Sequence, residues 1–255
     1  MKRKHYYESV ELDDLHLKEI PDNIAMYACH GSYLVDHNRL TSLKNAATFV
    51  KGNFNCSFNK LTSLVGGPEE VQGHYVCSNN NITSLEGVAK IIGGYLYCQV
   101  NRLTSLDGLP KLKSGASLLI GSNKISSIDG YGLENIQFNS FYCESNNITS
   151  LKGGPSFVQG TFDCSGNPIT SFIGAPTFVG GDFFAGELRN LKDLIGFPKT
   201  VENNLYMDRI DLMRLFPKHK DEYELRMIIS QICKVRGRIQ IWKNLLEMLN
   251  YMNII

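Results

Sequence analysis

No run of eighteen apolar residues occurs anywhere in this 255-residue chain, which excludes a conventional membrane-spanning helix. The basic start, Lys2-Arg3-Lys4, has no apolar stretch behind it, so a cleavable secretory signal is not expected. Neither sign of charge dominates, with 26 Lys and Arg against 25 Asp and Glu. No whole-molecule field therefore draws the chain to nucleic acid or to an anionic membrane, and electrostatic recognition has to be local. Cysteine pairing is also missing: the seven cysteines are odd in number and contain no CxxC, which points away from a disulfide framework and toward a reducing cytoplasm. The six histidines are scattered, and no HExxH, GxSxG or phosphate-binding GxxxxGK[ST] is present. The reading is a protein that is no enzyme, with no catalytic residue, no metal site and no cofactor.

What is present is a repeat. The first apolar residue of a Leu-Thr-Ser-Leu element falls at Leu40, Leu61, Ile82, Leu103, Ile125, Ile148, Ile169 and Leu191, with spacings of 21 to 23 residues. Two positions earlier stands Asn38, Asn59, Asn80, Asn101, Asn123, Asn146 or Asn167, and Arg189 breaks that column at the end. Five positions earlier stands Val35, Cys56, Cys77, Cys98, Ile120, Cys143 or Cys164, and downstream come Gly66, Gly87 and their counterparts.

Each column has a physical reading. Asn53-Phe54-Asn55-Cys56-Ser57 alternates polar and apolar, the signature of a strand with one buried face, so Phe54 and Cys56 point inward. A fixed Asn at the turn after the strand can satisfy backbone groups of neighbouring coils, and identical amides form a ladder. Leu61 and Leu64 add two apolar side chains to the coil interior, after which Gly and Pro reverse the chain. The return segment, about ten residues long and broken by Gly and Pro, is too short and too irregular for a helix. Nine or so coils at about 4.8 Å each give a core roughly 40 Å long.

These residues resemble a known class. Asn59-x-Leu61-x-x-Leu64 after a strand is similar to the leucine-rich repeat, in its compact, helix-poor variety. The fuller pattern, Asn-x-Leu-Thr-Ser-Leu-x-Gly-x-Pro-x-x-Val-x-Gly-x-Phe-x-Cys-Ser, resembles repeat proteins frequent in large tailed phages, over residues 12 to 207. The resemblance implies a phage-encoded protein in the cytoplasm of a host cell, acting on a host or viral protein. Two coils depart from the pattern, at Ser114–Ser122 and at Phe183–Arg189, and local irregularity is expected there.

The expected architecture is a repeat β-solenoid, leucine-rich-repeat-like, with a parallel sheet, a helix-poor convex side and a C-terminal helical cap. Residues 1–16 form an N-terminal cap, 17–207 the solenoid and 208–255 the helical cap. In that cap Tyr223, Met227, Ile228, Ile232 and Val235 line one helical face, Gly237 interrupts, and a second helix runs from Ile239 to about Asn253.

For function, the Cys column is read as small buried hydrophobes, because Val35 and Ile120 replace Cys in it. Some bacterial effectors join a compact repeat array to a Cys-dependent ubiquitin ligase, but Cys233 lies in too short a tail for that chemistry. The outward strand positions are where a repeat scaffold varies to bind. Val76, Tyr95, Tyr97, Leu119 and Tyr142 form an apolar, aromatic stripe on the concave face, between polar coils, and a protein partner is expected there. Two alternatives remain. One is nucleic-acid binding by Lys234, Arg236, Arg238 and Lys243, with Trp242 among them. The other is self-assembly, the oligomeric state being open.

Overall fold

A computed structural model describes residues 4–6, 8–219 and 221–242. The chain divides into two compact units, Met1–Ile125 and Ser126–Ile255, and both are parallel β-solenoids built from the repeat.

In the first unit every coil but the one at Ser117–Leu119 lays down two short strands. Val10–Glu11, Tyr33–Leu34, Phe54–Asn55, Tyr75–Val76, Leu96–Tyr97 and Ser117–Leu119 lie side by side and parallel. The return segments supply a second parallel sheet, Lys4–Tyr6, Met26–Cys29, Phe49–Val50, Glu70–Val71 and Ile91–Ile92. The return segment is thus helix-poor, as expected, and carries a strand of its own. Between the two sheets, Phe54, Cys56, Leu61, Leu64 and Val71 are fully buried, and the next coil repeats them as Tyr75, Cys77, Ile82, Leu85 and Ile92.

The Asn column explains how a coil with so little strand holds together. Asn80 Oδ1 accepts the Leu61 amide of the preceding coil at 2.9 Å. Its Nδ2 donates to the carbonyls of Cys56, Cys77 and Ser78 at 3.0, 3.2 and 3.2 Å. Asn59, Asn101 and Asn123 repeat this arrangement. One buried amide thus satisfies the turn groups of two coils, which would otherwise be costly to remove from water. Glycine is required where coils nearly touch: a Cβ on Gly87, at φ +86°, would lie 2.4 Å from the Val65 amide nitrogen, and one on Gly93 would lie 2.0 Å from the Gln72 carbonyl oxygen.

The second unit continues with Ser140–Tyr142, Phe162–Asp163, Phe183–Ala185, Leu205–Asp208 and Ile239–Trp242 in one parallel sheet. Phe157–Val158, Phe178–Val179, Thr200–Val201 and Lys234–Val235 form the other. Two helices, α1 (Arg209–Leu215) and α2 (Glu222–Ile232), stand between the last two coils.

Here the structure corrects three expectations. The strand ladder starts before residue 17 and does not stop at Met207. Lys234–Val235 pairs with Thr200–Val201 and Ile239–Trp242 with Leu205–Asp208, so the helices are an insertion within the array. The second helix expected from Ile239 is a strand over Ile239–Trp242, and the remainder of that stretch, with Lys243, lies outside the described residues. On α2 the buried side chains are Leu225 and Ile229, one turn apart, whereas Tyr223 is 71% exposed and Met227 and Ile232 also face solvent. Leu225 and Ile229 satisfy the same four-residue spacing as Tyr223 and Met227, so the spacing alone does not choose the buried face; Asp221 caps the helix, its carboxylate accepting the Tyr223 amide.

The two irregular coils behave differently. Ser117–Leu119 pairs regularly with Leu96–Tyr97, but no strand is assigned to its return segment at residues 112–114. In the coil at Phe183, Leu188 occupies the position of the Asn column and is fully buried. Its amide donates to Asp211 Oδ2 of α1 at 2.6 Å, and Arg214 donates to the Leu188 carbonyl at 2.9 Å. Helix α1 thus supplies partners for the backbone amide and carbonyl of Leu188.

Candidate functional site

The outward column of the first unit's longer sheet is built by strand register. Asn55 pairs with Val76, Val76 with Tyr97 and Tyr97 with Leu119, each side chain half-buried and about 4.8 Å from the next coil. Tyr95, two residues before Tyr97, points the same way. Its ring lies 6.2 Å from that of Tyr97 and 4.7 Å from His74, and His74 meets Tyr97 edge-on at 6.0 Å. Val76, Tyr95, Tyr97 and Leu119 are therefore brought together on one sheet face. Tyr142 belongs to the second unit, where its strand neighbour is Asp163.

The neighbouring column has a different role from the one its variability suggests. Ser9 Oγ accepts the Ser32 amide at 3.1 Å, Ser32 Oγ the Asn53 amide at 3.1 Å, Asn53 Oδ1 the His74 amide at 2.8 Å and His74 Nδ1 the Tyr95 amide at 2.9 Å. Ser, Asn and His are interchangeable here because each offers one acceptor to the next coil. His74 is thereby fixed as the tautomer with Nδ1 unprotonated, and its ring becomes a wall for Tyr95. In the second unit Ser140, Asp182 and Asn204 do the same for Thr161, Asn204 and Arg238.

The second unit's outward row reads Tyr142, Asp163, Phe184, Tyr206. Tyr206 is buried, because Ile239–Trp242 pairs beyond it and Phe184 stacks on it at 4.4 Å. Asp163 Oδ1 accepts the Ser165 amide at 2.9 Å, and Glu144 Oε2 is buried with no hydrogen-bond partner among the described residues. Burial and the charge of Asp163 push the Glu144 carboxyl upward, and burial does the same to Asp163.

The cysteines pack as core. Cys56, Cys77 and Cys98 are buried in successive coils, as are Cys143 and Cys164 in the second unit, and all are free thiols. Burial pushes the Cys56, Cys143 and Cys164 thiols up. The Cys233 thiol is pushed up to about 11 by burial, which keeps it from being a thiolate at neutral pH. Among the described residues no three His, Cys, Asp or Glu side chains cluster as metal ligands, and no helix is long and apolar enough to cross a membrane.

The C-terminal cations sit on strand and turn, not at a helix junction. Lys234 is exposed on its strand, Arg236 pairs with Glu202 at 2.9 Å, and Arg238 is exposed with its amide bonded to Asn204. The signal that would have placed them is Lys234-Val235-Arg236-Gly237-Arg238-Ile239-Gln240-Ile241, which copies Phe157-Val158-Gln159-Gly160-Thr161-Phe162-Asp163-Cys164 position by position. No family model matches the chain, and no curated protein matches it.

Proposed function

We propose that the chain is a non-catalytic binding module that holds a protein partner on the outer face of its longer sheet. The observation that supports this is the in-register stacking of Val76, Tyr97 and Leu119, with Tyr95 beside them, on a face where adjacent coils carry Asn55 and Ser32. Aromatic side chains with a polar surround give contact area at small entropy loss, and their backbone is held rigid by the ladder. The partner that the phage-like repeat points to is a host or viral protein in the host cytoplasm.

Affinity purification from the native host with wild type and with Tyr97→Asp/Leu119→Asp tests this. Both side chains face outward, so the variant keeps its circular dichroism and melting temperature. A protein retained by wild type and lost by the variant supports the reading. Equal retention by both overturns it.

A further inference from the structure

A second surface of the first unit carries charge in a pattern that the whole-chain balance conceals. One residue before each apolar Leu or Ile of the repeat stand Arg39, Lys60, Asn81, Arg102 and Lys124. Strand-like bonding holds these positions in line: the amides of Arg39, Lys60, Arg102 and Lys124 donate to the carbonyls of Leu17, Leu40, Ile82 and Leu103, each one coil earlier, at 2.8 to 2.9 Å. The four cations therefore form a row with one side chain per coil at about 4.8 Å, interrupted only at Asn81. All four are exposed, and among the described residues none is in an ion pair.

From Lys60 onward both flanks of the row are without acid. On one side run Thr41, Thr62, Thr83 and Thr104, exposed hydroxyls in adjoining coils. On the other runs the turn column His37, Phe58, Asn79, Val100 and Ser122, in which every residue has a positive φ, between 50° and 56°. Acid stands only at the first end of the row, where Asp36 Oδ2 bonds His37 Nδ1 at 2.9 Å and Asp14 holds the turn position of the preceding coil, at φ 53°. Phe58 and Val100 are each 48% exposed, although bulky side chains are disfavoured at positive φ, and Phe58 lies flat on His37 with ring centroids 4.4 Å apart. An open aromatic face thus stands beside the cation row. The same column of the second unit is Asn147, Pro168 and, one residue after Leu188, the single cation Arg189, so the run of four belongs to the first unit.

We infer that Arg39, Lys60, Arg102 and Lys124 form a binding ridge for single-stranded nucleic acid, with phosphates along the cations and a base on the exposed face of Phe58. A line of cations with no acid between them fits a uniformly charged linear polymer, and the π-face beside them favours bases over carboxylates. The Thr hydroxyls are further donors to phosphate oxygens. Its residues are other than those of the aromatic stripe and of the C-terminal basic run.

The test is fluorescence anisotropy of the full chain with a labelled 20-nucleotide poly-dT strand, titrated across salt. Four contacts predict a slope of log K against log salt near −2.8, from about −0.7 per contact. Converting all four to Gln abolishes binding at moderate salt, and the pair Arg39→Gln/Lys60→Gln halves the slope. Phe58→Ser, the residue found at Ser122 in this column, weakens binding several-fold at unchanged slope. Lys234→Gln/Arg238→Gln and Tyr97→Asp leave binding as it is. The inference is overturned if poly-dT does not bind at low salt, if the fourfold variant keeps the wild-type slope, or if poly-glutamate of equal length competes as well as poly-dT, which would assign the ridge to acidic peptide.

Discussion

The Leu188 amide donates to the Asp211 carboxylate at 2.6 Å, across the junction between a repeat coil and α1. Asp211 is 2% exposed, and burial raises its pKa while the bonds from Leu188 and Arg214 oppose the shift. Asp211→Ala leaves the Leu188 N–H buried without an acceptor, and is expected to cost about 1–3 kcal/mol. Asp211→Asn keeps an acceptor and costs less. Urea unfolding followed by circular dichroism ranks the two; equal stability of Asp211→Ala and wild type would mean that the helix does not serve the coil.

The Asn ladder gives a sharper contrast between adjacent residues. Asn80→Ala removes the acceptor of the Leu61 amide and the donor to the Cys56, Cys77 and Ser78 carbonyls, and is expected to destabilise by more than about 3 kcal/mol, since two or more buried groups lose their partners. Asn147→Ala, at an exposed position next to buried Asn146, is expected within about 0.5 kcal/mol of wild type. Similar losses for the two would remove the ladder from the account of stability.

Those ladder residues were legible in the sequence because a buried amide that serves two coils admits no substitute, so Asn recurs unchanged at Asn59, Asn80 and Asn101. Buried apolar positions such as Leu61 and Leu64 recur for the same reason. The column Ser32, Asn53, His74 was not legible. Its requirement is one acceptor atom, which several residue types meet, so a structural constraint looks like free variation. The last coil was hidden by the insertion of α1 and α2, which moves Val235-Arg236-Gly237-Arg238-Ile239 out of the repeat spacing. Ile239, Trp242, Leu245 and Leu249 also happen to satisfy a helical period. The outward stripe was readable as a set of neighbours because strand alternation fixes direction, whereas the burial of Tyr206 depends on a strand placed beyond it by that hidden coil.

Strain at the turn column is open to direct measurement. Val100 holds φ 54° and Gly166 holds φ 65° at the equivalent position, with Asn79 at φ 56° in the coil before Val100. A β-branched residue pays about 1–2 kcal/mol in this region, and Asn tolerates it far better. Val100→Asn, on an exposed site, is therefore expected to stabilise by about 1 kcal/mol and to raise the melting temperature of the full chain by a few degrees. A lower melting temperature would show that the Val100 side chain contributes packing that outweighs the strain.

The carboxylate pair sets a pH dependence with a definite sign. Glu144 is pushed up to about 7 by burial and the Asp163 charge, and Asp163 up to about 6 by burial. Both folded values exceed those of an unfolded chain, near 4. The fold therefore favours the protonated acids: the contribution is full below about pH 4 and is lost as pH rises through about 6 to 7, with a slope of up to about 1.4 kcal/mol per pH unit for each proton retained. The first unit shows how the conflict is avoided, because Asn55 stands where Asp163 does and accepts the Ser57 amide at 3.1 Å as Asp163 accepts that of Ser165. Asp163→Asn copies that solution. It is expected to raise stability less at pH 5 than at pH 8, and so to flatten the difference between the two. Unfolding in urea at both pH values measures this. If wild type and Asp163→Asn lose stability in parallel between pH 5 and pH 8, the pair is not the source of the dependence, and the buried Glu144 oxygen has another partner.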